Sequence, residues 1–276
     1  MQLYPAGETI TRRLLDLPQQ RVEWVITGAE VDDIIAAGFQ HHKVDDTRFV
    51  HAGSGDIYQL ARQQYVDQAS GQISYQCGHG VTLESELATR ALTILAMAGD
   101  GDDIIDPYDG QDDLINCVLR HVTPDFVSVP QNLLTVAEWA ARMAGRGFYI
   151  AHETHGLMKQ MVASGVVEQI PQNAVCDAAI QALASPRPSE FFRVLHQCHA
   201  LRVFSQELDA LFEASNKIEG SRNMHHTENS LPGAMQSLDQ AAAETDNISS
   251  VMKVFYETLG DKADTVFNSF GLDALI

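Results

Sequence analysis

The chain has 276 residues, a formal net charge of -19 and 45% hydrophobic side chains. This composition is typical of a folded, acidic, globular protein, and the length allows more than one hydrophobic core. Residues 1–150 carry 10 basic and 21 acidic side chains and residues 151–276 carry 8 and 16, so neither half is basic. Because nucleic-acid binding depends on clustered Lys and Arg, the charge argues against a polyanion as the main ligand.

The first third of the chain has the pattern of a small mixed sheet with flanking helices. Compact apolar runs predict strands at residues 23–28, 39–44, 47–52 and 57–61, with a helix at 29–37. From about Leu133 the apolar side chains recur at helical spacing, and Pro186 and Pro188 predict a helix start before Glu190. Residues 215–233 have the composition of a linker.

The N-terminal residues lack the pattern of a signal peptide, and no run approaches the roughly 20 apolar residues that span a bilayer. We therefore expect a cytoplasmic protein without membrane contact. The four cysteines are scattered singly, which favours reduced thiols over disulfides or a zinc site.

Two histidine pairs and one acidic run could hold metals, and each also has a structural interpretation. His152 and His155, like His196 and His199, share a helical face but lack a third ligand at a matching offset, which favours structural or surface roles. The acidic residues 100–109 include two isoleucines that interrupt the register of a calcium loop, so a hairpin turn is the preferred interpretation.

Several strings, in order and at fitting distances, resemble the bacterial CCA-adding tRNA nucleotidyltransferases, which share a head domain with poly(A) polymerases. They are residues 15–18 (LDLP), 23–28 (EWVITG), 58–62 (YQLAR), 81–84 (VTLE), 104–110 (IIDPYDG), 191–195 (FFRVL) and 200–204 (ALRVF). The resemblance covers about residues 1–215 and is fainter beyond them.

The resemblance implies an α+β fold, with a nucleotidyltransferase-type mixed-sheet head domain followed by an all-helical neck and body. The expected domains are a head at residues 1–125, a neck and body at 126–215, and a helical segment at 216–276. The last segment resembles a shortened remnant of an HD phosphohydrolase domain, whose His-Asp pair is replaced by Glu257 and Thr258.

The catalytic positions that the resemblance implies hold the wrong residue types for Mg²⁺. The family places two aspartates two apart on one strand, and here these positions hold Arg21 and Glu23. A third acidic position falls on Ile57, with Asp56 beside it and facing the other side of the pleat. Since Mg²⁺ prefers hard oxygen ligands, we expect no metal and no cofactor at this site.

The nucleotide-binding positions that the resemblance implies are also altered. The Gly-Gly-x-x-Arg-Asp segment corresponds to residues 7–12, where Gly7 is kept, Glu8 replaces the second glycine and Arg12 stands at the last position. Gly7 and Arg12 are the candidate vestigial nucleotide-binding residues of this segment. The Arg-Arg-Asp motif retains Arg90 and ends in Ala91. The Glu-Asp-x-x-Arg segment that reads the incoming base corresponds to residues 128–132 and ends in Asn132.

These replacements predict a homologue that is inactive in nucleotide addition and acts by binding a protein or a small molecule. We expect tRNA not to be the partner because of the net charge. One alternative is an active RNA nucleotidyltransferase that transfers CTP or ATP with an altered Mg²⁺ site at Glu23, helped by Asp56 and Arg90. Another is a tRNA-binding module without chemistry. Homo-oligomerisation stays open.

Overall fold

The computed structural model describes residues 1–18, 21–41, 47–51, 53–67, 73–219 and 231–273. Its contacts divide the chain into two compact units, Met1–Val129 and Pro130–Ile276. The division into three domains stays a prediction. Within the described ranges, no helix is long and apolar enough to cross a membrane.

The first unit contains both strands and helices, as expected. Its strands are β1 (Gln2–Pro5), β2 (Glu23–Thr27), β3 (Gln40–His41), β4 (Arg48–Val50), β5 (Ile57–Leu60), β6 (Arg62–Val66), β7 (Ile73–Cys77), β8 (Ala98–Asp100), β9 (Asp103–Ile105) and β10 (Val118–Leu119). Its α-helices are α1 (Glu8–Leu14), α2 (Val31–Ala36), α3 (Leu83–Leu87) and α4 (Gly110–Ile115).

Among the described strands, five form one sheet in the order β1-β2-β5-β4-β3. The β2–β5 pair is parallel and the other pairs are antiparallel, which confirms the predicted mixed sheet. The predicted strand at 39–44 is seen at Gln40–His41, and residues 42–46 lie outside the described ranges. Strands β8 and β9 form a hairpin around Gly101, which confirms the predicted hairpin turn.

Alternation along β2 divides the core of the first unit between the two faces of the sheet. Val25 packs with Ala6, Leu87 and other residues in one cluster, whereas the adjacent Ile26 packs with Phe49 and others in a second cluster. Because side chains two apart on a strand share a face, Glu23 lies on the same face as Val25.

The second unit is mostly helical, as predicted. Its elements are α5 (Asn132–Met143), β11 (Tyr149–Ile150), α6 (His152–Ala163), α7 (Gln172–Leu183), α8 (Ser189–Gln197), α9 (Leu201–Phe204), α10 (Gln206–Glu219), α11 (Leu231–Glu244), α12 (Ile248–Leu259) and α13 (Ala263–Phe270).

Phe192 on α8 lies at the centre of the second unit's core. Its ring contacts those of Phe191, Phe255 and Phe270 at centroid distances of 5.3, 5.2 and 5.5 Å, and all four residues are fully buried. Aromatic pairs at these distances stabilise a core beyond their area burial. One side chain therefore joins α8 to α12 and α13.

Helix α8 begins where the two prolines predicted it, directly after Pro188. Its first residue, Ser189, donates from both its backbone amide and its hydroxyl to the Asp239 carboxylate on α11, at 2.9 and 2.7 Å. Proline suits the start of a helix, and a carboxylate there satisfies an amide that has no intrahelical partner.

Phe192→Ala should lower the free energy of unfolding of the second unit by about 3–5 kcal/mol, because truncating a buried phenylalanine removes contacts and leaves a cavity. Urea denaturation followed by circular dichroism measures this. The control is Tyr149→Ala. The Tyr149 side chain is 59% exposed, so this substitution should lower the free energy of unfolding by less than about 0.5 kcal/mol. Equal effects of the two substitutions would contradict the packing described.

Candidate functional site

Three of the residues selected from the sequence meet in the first unit. The Glu23 Oε1 lies 2.5 Å from Nη1 of Arg90, which follows α3. Gly7, between β1 and α1, has a φ of +62°, and a Cβ there would lie 2.6 Å from Glu23 Oε2. Glycine is thus required at position 7 both by the backbone conformation and by the space that Glu23 occupies.

A fourth member of this group, Glu86, was not predicted. Its side chain is fully buried, its Oε1 lies 3.1 Å from Arg90 Nη2, and its Oε2 accepts a hydrogen bond of 2.9 Å from the backbone amide of Arg62. The four-residue spacing of Glu86 and Arg90 is typical of a helical ion pair and was the available signal. We call Glu23, Glu86 and Arg90 the buried ion-pair cluster.

Burial and the neighbouring charges shift the pKa values of Glu86 and Arg90 in opposite directions. Burial raises the pKa of Glu86 above its ordinary value, although the charges of Arg90 and Arg62 partly offset this. Burial by itself would lower the pKa of Arg90, but the neighbouring Glu23 and Glu86 outweigh it, and the net pKa of Arg90 is raised. Arg90 therefore remains a cation at every physiological pH, and Glu23 faces a permanent positive charge.

The residues at the family's metal positions do not fit Mg²⁺. Arg21 is exposed, and Ile57 lies directly opposite Glu23 in the parallel register of β2 and β5. The Asp56 Oδ1 accepts a hydrogen bond of 3.1 Å from the Val22 amide. These positions thus offer Glu23, already bonded to a guanidinium, where Mg²⁺ needs several oxygen ligands. In the described ranges no group of three or more His, Cys, Asp or Glu side chains could hold a metal.

The other two nucleotide-binding candidates lie apart from the cluster or in the other unit. The Arg12 Nε is 2.6 Å from Oε1 of Glu8, and its Nη1 donates to the carbonyl oxygen of Pro18 at 2.8 Å. Asn132 is buried at the first position of α5, in the second unit. Nucleotide binding by Gly7, Arg12, Arg90 and Asn132 stays a prediction.

The expectation that His196 and His199 share a helical face is wrong, because α8 ends at Gln197 and His199 follows it with a φ of +67°. The His196 Nδ1 lies 2.6 Å from Asp209 Oδ1, and its ring stacks on Phe212 at 5.0 Å. On α6, burial and the charge of Lys159 lower the pKa of His155, which favours its neutral form. His225 and His226 lie outside the described residues.

Arg90→Met should destabilise the first unit by about 3–5 kcal/mol, because it leaves the buried Glu86 carboxyl group without its cation. Adding Glu86→Gln should recover part of this loss. Urea denaturation of both variants measures the coupling, and Arg13→Met, at an exposed position on α1, is the control with an expected cost below about 0.5 kcal/mol. A neutral effect of Arg90→Met would show that the cluster is not stabilising.

The raised pKa of Glu86 predicts a pH-dependent contribution to stability. A carboxyl whose folded pKa is raised contributes stability that is fully present below its unfolded pKa and is lost as the pH rises through the folded pKa. The free energy of unfolding of the wild type minus that of Glu86→Gln should therefore fall as the pH rises from about 4 to 7. A difference that increases with pH would mean that the pKa is lowered instead.

Comparison with known proteins identifies relatives of this chain. No protein-family model matches it. It is 40% identical over 214 residues to the Multifunctional CCA protein of Pseudomonas aeruginosa (strain LESB58), covering 77% of this chain and 52% of that protein. The chain thus spans about half the length of such relatives.

Two solved structures share the fold. A CCA-adding enzyme in an apo form has a TM-score of 0.65 and 21% identity, covering 97% of this chain and 63% of that one. A tRNA-processing enzyme with CTP has a TM-score of 0.65 and 18% identity, covering 98% and 71%. The similarity confirms the predicted fold class, a mixed-sheet head followed by a helical region.

The expectation that tRNA is not a partner is wrong. It rested on the net charge, but the relatives are CCA proteins and the matched folds include a tRNA-processing enzyme. The physical reason is that a net charge sums the whole surface, whereas binding depends on the local potential where the ligand sits. The resemblance drawn from the motifs is confirmed: over 214 matched residues, this chain is a homologue of the bacterial CCA-adding family.

Proposed function

We propose that this protein is a CCA-adding-family homologue that binds tRNA and does not itself add nucleotides. Homology to a CCA protein over 214 residues supports the choice of tRNA as the partner. The altered residues at the family's metal and nucleotide positions support the absence of chemistry. RNA can be recognised by the fold as a whole, whereas catalysis needs particular side chains.

The bond between Glu23 and Arg90 carries the proposal. Nucleotide addition requires an in-line attack on an α-phosphate, and divalent ions commonly hold the attacking hydroxyl and the triphosphate. Here Glu23 has a guanidinium 2.5 Å away, and its neighbour across the sheet is Ile57. A cation approaching Glu23 would have to displace Arg90, which Glu86 holds from its other side.

The positions around Glu23 would also be unfavourable for a triphosphate. Glu8 replaces the second glycine of the family's phosphate-binding segment and is ion-paired to Arg12. Arg90 is the one arginine retained from the Arg-Arg-Asp motif, and its charge is balanced by two glutamates. A guanidinium with such partners attracts phosphate less than an unpaired one would.

The purified protein should incorporate no radiolabelled CTP or ATP into tRNA lacking its CCA end, with Mg²⁺ present, because the metal positions supply one carboxylate that is already paired. The Pseudomonas aeruginosa relative, assayed in parallel, is the positive control for the substrate. Incorporation that Glu23→Ala abolishes would overturn the inactive assignment and favour an active enzyme with an altered site.

The same tRNA should be retained by the protein in a filter-binding assay at low salt. Retention should weaken as salt is raised from 50 to about 200 mM, because contacts to phosphates release counterions. Bovine serum albumin, another acidic protein, provides the background. Retention no greater than this background at the lowest salt would contradict tRNA binding while leaving the incorporation result intact.

A further inference from the structure

A cavity of about 800 Å³ lies within the second unit, formed by side chains of α8, α10 and α11 and by the residues before α8. Its volume falls within the range of small-molecule sites, which is roughly 300–1,000 Å³. None of the catalytic or nucleotide-binding candidates that the resemblance implies lines it. The lining includes Arg187, Arg193, His196, Phe212, Met235 and Gln236.

The charge of the lining is opposite to that of the chain. Arg187 and Arg193 line the cavity, and of the described acidic residues only Asp239 does. Glu190 bonds to Arg193, and Asp209 lies 2.6 Å from His196, but neither carboxylate is in the lining. With two arginines and one carboxylate, the lining is positively charged although the whole protein carries a net charge of -19. A locally positive cavity favours an anionic ligand.

The two arginines keep donors for a ligand. The Arg187 Nε is 3.6 Å from Asp239 Oδ2, beyond hydrogen-bond distance, and both Asp239 oxygens accept bonds from Ser189. Arg193 bonds to Glu190 through Nη1, which leaves other N–H groups of its fork. Arginine forks bind phosphate and carboxylate groups through paired hydrogen bonds, so the cavity suits a phosphate.

The remaining lining suits a flat organic body. Leu231 and Met235 supply apolar surface, and the imidazole of His196 is held nearly parallel to Phe212, at 21°. Gln197 and Gln236 add amide groups that can both donate and accept hydrogen bonds, and Gln240, whose Nε2 donates to Glu244 Oε1 at 2.8 Å, adds an amide oxygen. Such amides match the mixed donors and acceptors on the edge of a heterocyclic base.

We propose that this cavity binds a phosphate ester of a planar heterocycle, of the size of a mononucleotide. The arginines hold the phosphate, the apolar side chains pack on the ring and the glutamines contact its edge. The site lies wholly within the second unit. The ligand could bind there whether or not the protein adds nucleotides.

Titration calorimetry of the full chain with adenosine 5′-monophosphate tests the site. The nucleotide should bind more tightly than either inorganic phosphate or adenosine, since each has half of the required features. Arg193→Gln should weaken nucleotide binding about tenfold, the effect of losing a charge-assisted hydrogen bond. Arg202→Gln, at an exposed position on α9 outside the lining, should leave it unchanged.

Gln236→Ala is a second variant, and it should leave the fold intact because the Gln236 side chain is exposed on α11. It should weaken binding of the nucleotide and leave binding of inorganic phosphate unchanged. The proposal is overturned if the nucleotide does not bind, if inorganic phosphate binds as tightly as the nucleotide does, or if both variants bind like the wild type.

Discussion

The first unit depends on compensating the charge of one fully buried carboxyl group, that of Glu86. Glu86 lies where water cannot solvate it, so its charge can persist only with the Arg90 guanidinium and the Arg62 amide beside it. Arg90 then reaches Glu23 at the start of β2. The guanidinium thereby connects α3 to β2, and the Glu86 carboxylate connects α3 to β6 through the Arg62 amide. Glu23, which the resemblance would assign to chemistry, takes part in these ion pairs.

The fold and its chemistry therefore depend on different residues. Alternation along β2 places Glu23 and Val25 on one face, where Val25 packs with Leu87, irrespective of what Glu23 binds. The sheet tolerates Ile57 beside Glu23 because a β-branched side chain suits a strand. Homologues can thus keep the packing positions of this sheet while the positions that hold ions change. The net charge of a chain predicts neither set of residues.

Local patterns predicted the framework better than the site. The strand at Glu23 and the helix start after Pro188 were predictable because short apolar runs and proline act through neighbouring residues. The spacing of Glu86 and Arg90 is visible in the sequence, but the burial of Glu86 is not, because only tertiary packing buries Glu86 and leaves Glu84 exposed. The cavity in the second unit was also beyond sequence reasoning, because its lining is drawn from three helices spread over nearly sixty residues.

The pair formed by Ser189 and Asp239 joins positions 50 residues apart in the chain. Together with the contacts of Phe192 to Phe255 and Phe270, it makes the start of α8 dependent on helices that are synthesised much later. A ribosome-bound fragment ending before α11 would leave that amide uncapped and those rings exposed to water. Such a fragment would be a target for chaperones until the last helices emerge, since long-range contacts cannot form earlier.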